Sequence, residues 1–409
     1  MKRAVKIRIY PTKQQKEKLS QHFAANRFIY NYMLAKKEKS YKEDNKKISC
    51  FDQVKELTLL KKEEKYLWLK DIDSQSLQLT IRNLDTAFKN FFRRIKKGSP
   101  ASELGYPRFK PWYFARQSFQ YPQRVKINEE KNKIYLPKIG WVKAIIHRDI
   151  KTIKTVTVSR EAGQYHASIL TEFPEINQIN KGSRIALDMG VKTFATASND
   201  NDILLPDIAD EEKKIKLLDK ALSRKKHSRK KGEKIEVSNK YKKLLLKKQK
   251  IYLKIKNIKK NVTHKQTLQI VKDCQYVFIE DLKIKNMTKS AKGNEEVHGK
   301  NVKQKSGLNR SIQRQSWGDF FTILEYKLKE RNGELIRINP KNTSRECSQY
   351  GYIDKENRES QSIFKCKSCN YCENADRNAS YNILKRGNIL LLELGNQAQL
   401  KNAPVSAIV

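Results

Sequence analysis

The chain has 409 residues, more than one ordinary hydrophobic core serves, so two or three domains are expected. Its 87 Lys and Arg against 44 Asp and Glu give a formal charge of +43, far beyond what solubility needs and of the sign that attracts phosphate polyanions. No run of about 18 apolar residues is present to form a membrane-spanning helix, and six cysteines are too few for a disulfide scaffold.

The opening MKRAVKIRIYP alternates basic and apolar residues, which predicts a β-strand and not the apolar core of an export signal. From Pro11 and Thr12, Leu19, Phe23, Tyr30 and Leu34 recur near helical spacing, and a second helical stretch from Ser74 places Leu77, Ile81, Leu84, Phe88 and Phe91 on one stripe. Residues 13–98 are therefore predicted to form a helical bundle, within a helical region reaching residue 105. From Tyr106 the pattern turns to short strands; TVTVSR and QYHASILTE, joined through Glu161, Ala162 and Gly163, predict a hairpin. The first strand and these later ones, residues 1–12 and 106–181, are expected to make one barrel interrupted by the bundle. Arg108, Lys110, Arg116 and Gln117 stand among Phe109, Trp112, Tyr113, Phe114 and Phe119, a basic and aromatic mixture suited to RNA backbone and stacked bases, or equally a barrel core with arginines at its rim.

A new unit begins at Gly182 with RIALDMG, a buried-strand run, followed by KTFATAS and DILL as a predicted three-stranded meander. Residues 211–260 hold 21 Lys or Arg and 5 acids, with Leu244, Ile251, Ile255, Ile258 and Val262 at helical spacing and a break at Gly232. A helical hairpin is predicted, and its uncompensated cations, Lys225, Lys226, Arg229 and Lys230 among them, suit a face that tracks a polyanion. Then come the strand CQYVFIED, a helix from about Ser311 to Arg331, the strand ELIRINP, a cysteine-rich insertion over residues 341–372 and the short helical run DRNASYNIL. Cys50 and Cys274 are expected to be buried thiols, whereas the four cysteines from Cys347 to Cys372 point to metal in a reducing compartment.

Three acids stand at similar places: Asp188 and Glu280 end strands, and Asp376 opens the late helix. Strand with Asp, meander, helix, strand with Glu and late helix with Asp is the order of an RNase H-like sheet. Carboxylates gathered at strand ends repel one another, and hard divalent cations relieve that repulsion while leaving room for water and a substrate phosphate. Two such ions can activate an attacking water and stabilise the leaving oxygen of a phosphodiester.

LDMGVKTFATAS, FIEDLKIKNM and NADRNASYNIL resemble the three RuvC motifs of the TnpB family of transposon-encoded, RNA-guided nucleases, related to type V CRISPR effectors and Fanzor proteins. RIYPTKQQ with NRFIYNYML, PRFK, RQSFQYP, VTVSRE, LNRSIQRQSWGDFFTILEYK and NPKNTSRECS extend the likeness in the family's order over nearly the whole chain. The resemblance implies an α+β multidomain protein: a wedge-type barrel with an inserted recognition bundle, then a RuvC-like domain over residues 182–340 and 373–390, a zinc-ribbon-like insertion over 341–372 and a tail over 391–409. It implies Asp188, Glu280 and Asp376 as magnesium-binding catalytic acids, with two ions expected. It also implies a guide RNA from the transposon end, a double-stranded DNA target beside a short motif that the protein reads, and a cytoplasmic, nucleoid-associated protein working as a monomer with its RNA. SQSLQLTIRNLD resembles the family segment that faces the target-adjacent duplex, which makes Gln75 and Gln78 candidates for base-edge contacts. Retention of all three acids favours an active nuclease over the alternative, an RNA-guided repressor that binds without cutting.

The family's zinc ribbon uses two CxxC knuckles, and here the first reads Cys347-Ser-Gln-Tyr350. A phenol is a poor zinc ligand beside a thiolate. Either Cys372 completes a rearranged site with Cys347, Cys366 and Cys369, or the site is three-coordinate and weak, or the segment binds no zinc.

Overall fold

The computed structural model describes residues 2–111, 116–173, 182–225, 238–293 and 298–402. These fall into two compact units, residues 1–174 with 213–253 and residues 175–212 with 254–409.

In the first unit, β1 (Lys2–Tyr10) buries Val5, Ile7 and Ile9 and exposes Lys6, Arg8 and Tyr10, the alternation of a strand with one covered face. Thr12 then caps α1 (Lys13–Asp44): its hydroxyl accepts from the Gln15 amide while the Gln15 side chain accepts from the Thr12 amide, so two otherwise orphaned donors are satisfied. With α2 (Cys50–Leu60), a 3-10 segment over Glu64–Asp71 and α3 (Ser74–Lys96), α1 makes the expected bundle. Leu77, Ile81, Leu84 and Phe88 of α3 are buried with Ile29, Met33 and Leu34 of α1. Leu19 and Phe23, at the other end of α1, instead join the core of the sheet.

That sheet adds β2 (Arg116–Tyr121), β3 (Lys126–Asn128), β4 (Lys133–Leu136), β5 (Gly140–Ile145), β6 (Thr155–Glu161) and β7 (Gln164–Glu172) to β1. Its order is β2-β6-β7-β1-β5-β4-β3, every pair antiparallel, so the first strand does join the later ones across the bundle. β6 and β7 meet through Ala162 and Gly163, both at positive φ (50° and 77°), the backbone that a two-residue hairpin needs. Tyr121, on edge strand β2, is fully buried and its hydroxyl donates to the Pro137 carbonyl at 3.0 Å, between β4 and β5. The sheet therefore curls around one core, in which Phe119, Ile134, Val142, Val156 and Ile169 meet.

The second unit is built on β8 (Ser183–Met189) and β9 (Ala195–Ala197). The predicted third strand of the meander reduces to one bridge between Ile203 and Ala195. α4 (Ala209–Ser223) and α5 (Asn239–Asp273) lend residues to both units, and the α4 acids Glu211 and Asp219 pair with Lys254 (2.6 Å) and Lys248 of α5. After β10 (Cys274–Glu280) come α6 (Ile284–Met287), α7 (Val302–Gln315) and α8 (Trp317–Lys329). The single helix expected from about Ser311 is thus two, divided at Ser316, whose φ of 57° leaves the helical region. β11 (Glu334–Ile338), the hairpin of β12 (Ile363–Lys365) and β13 (Cys372–Asn374), and α9 (Ala375–Asn402) complete the unit.

The main sheet runs β11-β10-β8-β9, with β8, β10 and β11 parallel and β9 antiparallel. On one face Leu187 and Ile279 pack with Phe320, Leu324 and Leu328 of α8; on the other Ala186, Phe278 and Ile336 pack with Ile383 of α9. The last helix runs past the short stretch expected from sequence, with Leu390 and Leu391 packed against the cluster of Phe278 and Ile383, and at Gly387 it lies against the sheet. A Cβ there would stand 2.3 Å from the Phe278 ring.

Candidate active site

Strand parity decides where the acids point. Ile279 of β10 lies beside Leu187 of β8, so the next register step brings Glu280 beside Asp188. Both acids share the parity of Ala186 and Phe278, which face α9, and α9 carries Asp376 in its first turn. The three predicted acids therefore converge on one face of the sheet. Asn374 accepts from the Asp376 and Arg377 amides (3.0 and 3.1 Å) and so caps α9. Arg377 ties that turn to the β9 region, donating to the Ala197 carbonyl and pairing with Asp200 and Asp202, each at 3.2 Å.

The electrostatics are those of a crowded acidic centre. Burial, then the negative charges of Glu280 and Asp376, push the Asp188 carboxyl up to about 8, with Arg358 opposing. Burial also raises Glu280, against a hydrogen bond from Thr343 and the charge of Arg386. Arg358 reaches Asp376 at 3.5 Å. The carboxylates are not drawn into one tight shell: among the described residues, only a cysteine group has all its ligand atoms within 4.8 Å of one another. A hard divalent cation that keeps several waters and takes only one or two carboxylates directly fits such a spread donor set. Nothing in the sequence singles out Arg358 or Thr343. Thr343 lies in the NPKNTSRECS stretch, but its spacing does not announce the contact.

The cysteine group is Cys347, Cys366 and Cys369, with Cys347 and Cys369 sulfurs 3.6 Å apart. Two copies of one turn build it. In the first, the Tyr350 amide donates to the Cys347 sulfur (3.4 Å) and the Gly351 amide to the Cys347 carbonyl (2.8 Å). In the second, the Cys369 amide donates to the Cys366 sulfur (3.4 Å) and the Asn370 amide to the Cys366 carbonyl (3.0 Å). Gly351 and Asn370 both take positive φ, 79° and 58°. Tyr350 thus occupies the place that Cys369 holds in its twin, with its side chain exposed. Cys372 lies outside this group, exposed on β13 opposite the exposed Lys365.

In the first unit a cleft of about 430 Å³ gathers Lys110, Arg116 and Gln117 with Asn26, Arg27 and Asn83. Arg160 donates to Gln117 at 2.6 Å, and the Lys110 ammonium lies 3.8 Å from the Tyr30 ring centroid. Gln75 and Gln78 are half-buried on α3 and, like the exposed Arg108, do not line this cleft. Lys225 is exposed after α4, whereas Lys226, Arg229 and Lys230 lie outside the described residues, as do Trp112, Tyr113 and Phe114.

Three family models match: OrfB_IS605, "Probable transposase", over residues 168–291; Cas12f1-like, TNB domain, over 317–383; and HTH_OrfB_IS605, "Helix-turn-helix domain", over 1–47, where the structure has β1 and α1. An Escherichia coli strain K12 protein with the name "Putative RNA-guided DNA endonuclease InsQ" is 36% identical over 392 residues, covering 95% of this chain and 93% of InsQ. A Streptomyces pristinaespiralis protein of similar name is 28% identical, covering 95% of this chain and 90% of the relative. Among solved structures, the mini-RNA-guided endonuclease CRISPR-Cas_phi3 aligns at 13% identity with a TM-score of 0.44, covering 95% of this chain and 92% of that one. On the strength of the full-length match to InsQ and the OrfB_IS605 model, the chain belongs to the TnpB (OrfB) family.

Proposed function

We propose that the protein is an RNA-guided DNA endonuclease whose cutting centre is Asp188, Glu280 and Asp376. The observation that carries this reading is their convergence on the α9 face of the sheet, where burial and mutual repulsion lift Asp188 to about 8. In this reading the curled sheet and bundle of the first unit are the wedge-type barrel and recognition bundle, the second unit is RuvC-like, and the cysteine segment is a zinc-ribbon-like insertion.

The acids would hold magnesium, two ions in the full site. Bound there, divalent metal supplies charge neutralisation at the scissile phosphate and a more acidic water. The chain's own residues hold the acids: Asn374 and Arg377 fix the turn bearing Asp376, and Thr343 donates to Glu280. Arg358 adds a fixed positive charge beside Asp376. The cysteine group offers zinc three thiolates where closed structural sites use four ligands, so weak binding is expected.

The partners are a guide RNA from the transposon end and double-stranded DNA, with pairing supplying sequence specificity. Gln75, Gln78, Arg108, Lys110, Arg116 and Gln117 remain candidates for contacts of the first unit to nucleic acid, and Lys225, Lys226, Arg229 and Lys230 for the basic hairpin. Retention and convergence of the acids favour cutting over the repressor reading. The test is to purify the protein from cells with its native flanking DNA, sequence the bound RNA, and offer DNA matching that RNA with magnesium. Cleavage confined to matching DNA is expected; a protein that carries no discrete RNA, or cuts without regard to it, contradicts the reading.

A further inference from the structure

Between β11 and the first cysteine turn, residues 339–348 cross in front of α9 with little regular structure of their own. Three side chains on successive turns of α9 hold them. Asn378, fully buried, donates to the Glu346 carbonyl (2.8 Å) and accepts from the Ser348 amide (3.0 Å), so it brackets Cys347 from both sides. Asn382, 1% exposed, donates to the Thr343 carbonyl (2.9 Å) and again to the Glu346 carbonyl (2.7 Å). Those two carbonyls fix its amide orientation, since the flipped form would set oxygen against oxygen. Arg386 pairs with the Glu346 carboxylate and donates to the carbonyls of Asn339 (3.2 Å) and Lys341 (2.6 Å).

What this ladder holds in place is Thr343. Its hydroxyl has one proton and two acceptors in reach, Glu280 Oε1 at 2.5 Å and the Pro340 carbonyl at 3.1 Å. Once ionised, as a metal ligand must be, the carboxylate is the stronger acceptor. Thr343 is 2% exposed and Glu280 9%, so water is a poor substitute for that donor.

We propose that Asn378, Asn382 and Arg386 position Thr343, and through Thr343 the Glu280 carboxylate, in the one orientation that receives metal. Resting on the assignment of Glu280 to a metal centre, this makes Thr343 a positioning residue and α9 the part that carries both Asp376 and the support for its partner acid. Outer-shell partners of ligating carboxylates set metal affinity, and their removal typically costs about 10–100-fold.

The full chain is compared as wild type, Thr343→Val, Thr343→Ser and Asn382→Leu. Two quantities are read: the rise in melting temperature as magnesium is added without substrate, and the magnesium concentration for half-maximal cutting of guide-matched DNA. Thr343→Val is expected to need about tenfold more magnesium in both, with Thr343→Ser restored to wild type and Asn382→Leu shifted as Thr343→Val is. Wild-type magnesium dependence in Thr343→Val, or a Ser variant as impaired as the Val variant, overturns the proposal. If Asn382→Leu fails to fold, the Thr343 pair still decides. Asp188→Ala serves as reference: continued cutting by it removes the metal-centre assignment, whereas an inert Asp188→Ala beside a normal Thr343→Val overturns only the ladder.

Discussion

Two clusters of ligand-bearing side chains lie in the second unit, and they are made in opposite ways. The cysteine group is local: each turn aims its own sulfur, and the two turns repeat the same hydrogen bonds whether the fourth residue is Cys369 or Tyr350. The carboxylate centre is global, for Asp188, Glu280 and Asp376 come from two strands and a helix and meet only through strand register and the close approach of α9. A local site tolerates loss of a ligand without losing its shape. A global site fails when any of its supports moves.

The largest effect should come from the global site: Glu280→Ala or Asp376→Ala is expected to abolish DNA cutting while guide-dependent binding persists. Cleavage and gel-shift assays on the same preparations check this, and normal cutting would remove the acids from the chemistry. Next, Gly387→Ala should drive a methyl into the Phe278 ring, lift α9 and cost about 2 kcal/mol. A melting temperature unchanged by that substitution would show that the helix is not seated as described.

At the local site the effects are smaller and separable. Tyr350→Cys should raise zinc to about one ion per chain and raise the melting temperature, since metal held only by the folded state adds to folding free energy. Cys372→Ser should leave zinc unchanged; a loss of zinc in that variant would return Cys372 to the ligand set. Smallest is the basic surface of α5. Replacing the exposed Lys242, Lys243, Lys247 and Lys250 by Gln should flatten the salt dependence of nucleic-acid binding by about 0.9 for each phosphate that is no longer neutralised. An unaltered slope would mark these lysines as solvated only.

The same contrast explains what is legible in the sequence. Periodicity carries β1, the α3 stripe and the β6–β7 hairpin, because each follows from a local pattern with its turn residues. The acids can be found because strand ends and a helix start mark them. Their supports cannot: Thr343, Asn382 and Arg358 are ordinary polar residues whose partners are 63, 39 and 18 positions away. The break at Ser316 is hidden because serine does not announce a left-handed backbone. The spacing of Cys372 suggests a ligand, but on β13 it pairs with Lys365 and stands exposed, outside the cysteine group. Past Gly387 the sequence carries no readable pattern, yet at that glycine α9 lies so near the sheet that a Cβ would meet the Phe278 ring.

Whether Asp188 sits in a crowded acidic centre that takes a divalent cation is decided by melting wild type and Asp188→Asn from pH 5 to 8, with chelator and with magnesium. Asp188 is lifted from the usual 3.8 to about 8, so between those values the folded chain holds a proton that the unfolded chain has released. The contribution of Asp188 to stability in chelator therefore falls as pH rises through that window. Wild type should lose melting temperature toward pH 8 relative to Asp188→Asn, and magnesium should restore it in wild type alone. Parallel pH profiles for the two proteins, with no magnesium response in wild type, would mean that Asp188 is an ordinary carboxylate that holds no metal.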